Sequence, residues 1–106
     1  MPPITSQRTT AEVLQEIGVR LEGYRLQQNR TTAALATDAG LSRATVQHLE
    51  DGRSITLESF VRILRALGRV ESIEAMLPPP AVSPIDLARR GGHVRQRART
   101  RTDGAA

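Results

Sequence analysis

Arg43, Ala44, Gln47 and His48 are the residues whose types and spacing could do chemistry together. In SRATVQHLED the apolar Val46 and Leu49 stand three apart, as on the buried side of a short helix. The other four then point away from the core. Such a face does hydrogen-bonding rather than bond-making chemistry. A guanidinium donates two parallel hydrogen bonds to guanine O6 and N7, and an alanine methyl fits against a thymine methyl. Gln47 and His48 are equally suited to reading an adenine edge. Catalytic candidates are few. His48 and His93 are the only histidines, Cys is absent, and neither histidine sits in a cluster of acids, so no metal site and no cofactor is expected. No nucleophile motif and no glycine-rich phosphate loop is present. The expectation is a protein that is not an enzyme.

The elements that must position this face read outward from it. Ser42 suits an N-cap, its hydroxyl accepting from the first free backbone N–H groups of the helix. Leu41 and Val46, five apart across that cap, have the spacing of a hydrophobic staple. Gly40 supplies a turn that needs positive φ. Before it, Thr31 caps a helix whose Leu35, Ala36 and Ala39 face one way. Helix, glycine turn and a second helix with a polar outer face is the helix-turn-helix pattern.

The stretch LATDAGLSRATVQHLEDGRSITLESFVRILRALG resembles the phage-repressor-like (Xre-type) helix-turn-helix family, and the resemblance runs roughly from Ile17 to Leu77. It implies an all-α, lambda-repressor-like compact bundle of about five short helices. It also implies a homodimer on a palindromic operator in double-stranded DNA, with the second motif helix in the major groove. Base-edge contacts would then fall on Arg43, Ala44, Thr45 and His48, with Gln47 beside them. Phosphate contacts would come from Thr31, Thr32, Ser42 and Arg53, through hydroxyls, backbone N–H groups and a helix terminus. Three positions depart from the family pattern. Thr32 stands where Gln is usual, Asp51 where Asn is common, and Arg30 where an apolar residue is usual. Asp51 would repel a phosphate, and Arg30 would compensate by reaching the DNA backbone, so binding weaker than a typical relative's is expected. Arg25 and Glu50 match the family's buried ion pair between the first helix and the end of the third.

The remaining elements follow in chain order. Residues 1–9 read as a disordered N-terminus and residues 10–77 as the folded domain. Residues 78–106 read as a proline-broken, Arg-rich tail. Thr9 and Glu12 have capping-box spacing, and Leu14, Ile17, Leu21 and Tyr24 form one stripe of a first helix to about Gln28. Gly18 and Gly23 each weaken it by about 1 kcal/mol relative to Ala. Thr56 caps a fourth helix with Leu57, Phe60, Leu64 and Leu67 as the expected buried stripe and Ile63 at its edge. A fifth is expected over Val70 to Leu77, stopped by Pro78-Pro79-Pro80. Ser83-Pro84-Ile85-Asp86 starts a short helical run to about Arg90. The core must be aliphatic, since there is one Phe, one Tyr and no Trp. No apolar run approaches the ~20 residues of a membrane span, no signal-peptide h-region is present, and the lack of Cys suits a reducing cytoplasm.

All fifteen basic residues are Arg. Residues 1–86 hold nine of them against ten acids, a net of −1, whereas residues 87–106 hold six against one acid, a net of +5. A DNA-binding domain ordinarily carries its own positive footprint, and here the charge sits in the tail. Arg89, Arg90, Arg95, Arg97, Arg99 and Arg101 would track DNA or dock on an acidic partner. If all six met phosphates they would give a salt slope near −5, at about −0.9 per contact. The tail segments SPIDLARRGG and RQRAR also resemble small antitoxins encoded beside Hip-type (HipA-like) protein-kinase toxins. Three expectations follow: an operator-binding autorepressor that restrains such a kinase, a stand-alone repressor, or a protein-interaction module that has kept the fold.

Overall fold

The computed structural model describes residues 1–81 and Ile85. Five helices follow one another: α1 (Thr10–Gln27), α2 (Thr32–Ala39), α3 (Arg43–Glu50), α4 (Leu57–Ala66) and α5 (Ser72–Met76). There is no strand among the described residues, and the all-α bundle expected from the sequence is what forms. None of the described helices is long and apolar enough to cross a membrane.

Side-chain caps fix where the helices begin. The Thr9 hydroxyl accepts from Glu12 N at 3.1 Å while the Glu12 carboxylate accepts from Thr9 N at 2.9 Å, a complete capping box. Thr31, Ser42 and Thr56 repeat the first half of it, accepting from Ala34 N, Thr45 N and Ser59 N at 3.0, 3.2 and 3.1 Å. Each satisfies a donor that the helix itself leaves unpaired, at about 1 kcal/mol apiece. At the end of α2, Gly40 takes φ +69° and the chain closes with Leu41 N donating to Ala36 O at 2.9 Å. A side chain at Gly40 would be strained there, so the sharp turn between α2 and α3 depends on glycine.

The caps aim the apolar faces at one another. Leu35, Val46 and Ile63 are each 1% exposed and make the centre, with Leu21, Leu49, Leu64 and Leu67 around them. α2 packs on both α3 and α4, and α1 packs on α3. Gly18 is what allows the last of these. A Cβ built there would overlap Leu49 O and come within 2.7 Å of Glu50 O, so α1 passes the C-terminal end of α3 at backbone contact. The helix propensity lost at Gly18 is therefore exchanged for close packing.

Three sequence expectations need correction. Ile63 lies at the centre of the core, not its edge, and Leu57 is 75% exposed, not buried. The buried residues of α4 are all in its second half, where α2 covers it, and its first turn projects past that cover. The fifth helix is also shorter than Val70 to Leu77: it spans Ser72–Met76 and buries no residue.

The chain divides after Met76 into two units, Met1–Met76 and Leu77–Ala106. In the first, the segment before Thr9 forms no helix, and its Pro3 and Pro2 carbonyls accept from Arg8 at 2.9 Å and Arg20 at 3.0 Å. In the second, residues 77–81 and Ile85 are exposed. Apart from Ile85, the expected run from Ser83 to Arg90, and Arg89, Arg90, Arg95, Arg97, Arg99 and Arg101, lie outside the described residues.

Candidate nucleic-acid interface

α3 buries Val46 and Leu49 and turns Arg43, Ala44 and Gln47 fully outward, with Thr45 and His48 half-buried at the margins. The five side chains are not equally free. The Thr45 hydroxyl sits 2.9 Å from that of Ser42, whose oxygen also accepts from Thr45 N, so Thr45 serves the cap. Gln47 donates its amide to Asp51 at 3.1 Å, which leaves its carbonyl oxygen open and occupies part of the Asp51 carboxylate. Among the described residues Arg43 has no hydrogen-bond or ion-pair partner.

That freedom is selective. Arg8, Arg20, Arg25, Arg30 and Arg62 each lie against a carboxylate, at 2.7 to 3.8 Å, whereas no carboxylate pairs with Arg43, Arg53, Arg65 or Arg69 among the described residues. Arg69 is 3.8 Å from the Tyr24 ring centroid, a cation–π contact. Arg43 and Arg53, one at the start of α3 and one in the loop beyond it, are therefore exposed cations without an internal partner. The −1 balance over residues 1–86 is an average: internal pairs take up arginines and acids alike, and α3 and the loop after it keep Arg43 and Arg53 against Asp51.

The phosphate candidates divide. Thr31 and Ser42 are exposed caps and Arg53 is exposed, while Thr32 is half-buried at the first position of α2. Arg30 departs from expectation. Its guanidinium donates to Ala66 O at 2.7 Å, and another of its nitrogens lies 3.2 Å from the Asp38 carboxylate, an ion pair without hydrogen-bond geometry. Together with Gln28, which donates to Leu67 O at 2.9 Å, it closes the C-terminal end of α4. A positive charge at that end also meets the negative pole of the helix, so Arg30 is committed to the fold.

Arg25 and Glu50 form the expected pair. Arg25 Nε and one terminal nitrogen donate to the two Glu50 oxygens at 2.7 and 3.1 Å, and the other terminal nitrogen donates to Arg30 O at 2.8 Å. The hydrogen bonds it donates to Glu50 hold the Arg25 guanidinium pKa above its ordinary value despite burial. The pair ties α1 to the end of α3 and so sets where the outward face points. Sequence reasoning missed a second buried charge, Glu16 at 6% exposure, which accepts from Arg20 at 3.1 Å with Arg8 at 3.8 Å. The i,i+4 spacing of Glu16 and Arg20 was the available signal.

A family model described as a helix-turn-helix domain matches residues 16–74. No curated protein shows significant sequence similarity to the chain.

Proposed function

Because the match at residues 16–74 takes in more than half of its length, the chain belongs to the helix-turn-helix domain family, and from that premise we propose that it is a sequence-specific DNA-binding transcriptional regulator. One observation carries this reading: the outward face of α3 presents Arg43 without a partner among the described residues, with Ala44 and Gln47 exposed and His48 at its margin. Arg43 reads guanine, Ala44 meets a thymine methyl, and Gln47 or His48 takes an adjacent base. Thr31, Thr32, Ser42 and Arg53 hold the phosphates on either side. Two copies on a palindrome place their α3 helices in successive major grooves about 34 Å apart. The protein acts in the cytoplasm, without catalysis and without a cofactor, as a repressor of its own operon.

The tail adds a narrower reading. SPIDLARRGG and RQRAR support an antitoxin role, in which the same protein restrains a Hip-type kinase toxin. A kinase gene in the same operon, and a complex with its product, would be the expected finding. The competing reading, a protein-interaction module, draws on the −1 charge over residues 1–86 and on Asp51 beside the reading face.

The deciding experiment is footprinting of the DNA upstream of the protein's own gene across a salt series, with the full chain and with Arg43→Glu. A protected palindrome lost in the variant is expected. No protection with either protein, or equal protection with both, would leave the interaction module as the better reading.

A further inference from the structure

The exposed Leu57 has a place to go. It stands on the rim of an apolar groove of about 250 Å³ floored by Leu14, Ile17, Leu49, Ile55 and Phe60. That is several times the ~30 Å³ share of one water molecule and enough for an isobutyl group. The same patch of surface thus carries a projecting apolar side chain and, beside it, an apolar recess. A two-fold interface needs this combination, because each copy must present both the feature and its complement.

Charge follows the same rule. Arg53 lines the groove and has no ion-pair partner among the described residues, while Glu58 follows Leu57 directly and stays exposed although one of its oxygens accepts from Arg62 at 3.0 Å. A Leu57 entering a second copy's groove carries Glu58 toward that copy's Arg53, whose five N–H donors leave some for phosphate, and the symmetry repeats the contact. Arg53 also connects the patch to the loop after α3. Neither Arg43 nor Ala44 lines the groove.

We infer that two copies of this chain join through this patch, the Leu57 of each seated in the groove of the other. The inference rests on the dimeric DNA-binding reading above and deepens it by naming the surface. The patch is small beside the 20–30 residues a side of a standard interface, so the free dimer is weak and DNA strengthens it by holding two copies together.

Sedimentation equilibrium of the full chain without DNA, from about 1 μM to about 1 mM, tests it. The wild type is expected to pass from 11.6 kDa to about 23 kDa, twice that mass, as concentration rises. Leu57→Asp should weaken the dimer on the order of 30-fold or more. The variant should fold normally by circular dichroism, because an acid in the first turn of α4 suits the helix pole. Met76→Asp, on the exposed end of α5, should leave the dimer intact. A wild type that stays at 11.6 kDa throughout, or a dimer broken by Met76→Asp and not by Leu57→Asp, would overturn the inference. Binding of Leu57→Asp to a duplex carrying one half-site separates the two proposals. Retained half-site binding shows the reader intact whatever the interface does. A Leu57-dependent dimer that binds no DNA would instead leave the interface standing and remove the regulator reading.

Discussion

Two arginines define what single residues contribute, because one is free and the other is locked. Arg43 has no partner among the described residues, so its removal should cost DNA affinity and leave the fold intact. Arg43→Ala is expected to lose about 1–3 kcal/mol of specific binding and to relax discrimination at one base pair. Competition gel shifts with single-base operator variants read both effects, and an unchanged thermal melt confirms that the fold is untouched. A uniform loss across all sequences would instead make Arg43 a phosphate contact. Arg25 is the opposite case. Glu50→Gln strands a buried guanidinium, and about 3 kcal/mol should be lost, the lower end of the usual range because Arg25 keeps Arg30 O and the Glu22 carboxylate at 3.8 Å. Replacing both members, Arg25→Met with Glu50→Leu, should recover much of that loss, since a well-packed apolar pair avoids the desolvation cost. A melt of Glu50→Gln within about 0.5 kcal/mol of wild type would place the pair among ordinary surface bridges.

At the scale of elements, the two glycines of α1 separate propensity from packing. Both weaken a helix to the same degree in isolation. Gly18→Ala would drive a methyl into the backbone of α3 at Leu49 and Glu50, whereas nothing lies within 4 Å of a Cβ at Gly23. Gly18→Ala should therefore destabilise by about 1–3 kcal/mol through overpacking, and Gly23→Ala should stabilise by about 0.5–1 kcal/mol. Urea titrations of the two variants check the opposite signs. The contrast also marks what the sequence could reveal. The caps at Thr9, Thr31, Ser42 and Thr56, the turn at Gly40 and the outward face of α3 are local, set by residues within four of each other, and all were legible. The burial of Ile63 over Leu57, the inward turn of Arg30 to Ala66 O and the close pass at Gly18 depend on which helix lies opposite. Periodicity fixes a helix's apolar side but not how far along it the cover extends, so α4's overhanging first turn was not legible. The outward face of α3 was local and could be found. The commitment of Arg30 was not, because its partner stands 36 residues away.

Over the whole molecule, the proposed function divides reading and holding DNA between different parts of the chain. Residues 1–80 carry nine Arg and nine acids, a net of zero, and residues 81–106 carry six Arg and two acids, a net of +4. Most of the arginines in the first part are paired internally, so the positive charge it can offer to DNA comes down to a few side chains such as Arg43 and Arg53. A domain of that kind distinguishes sequences well and holds any of them weakly. If the tail supplies the hold, truncation after Pro80 should lower affinity for every DNA alike while keeping the same protected palindrome. The salt dependence gives the number: removing six phosphate contacts at about 0.9 each makes the slope shallower by about 5. A slope unchanged by truncation would mean that the six tail arginines never meet phosphate. Their charge would then be available to an acidic protein partner, as the antitoxin reading allows. An intermediate change would count how many arginines each partner engages, and adding the candidate kinase to the same titration would show whether it competes for them. Kinase binding that restores the truncated chain's slope would make the tail a switch between DNA and toxin.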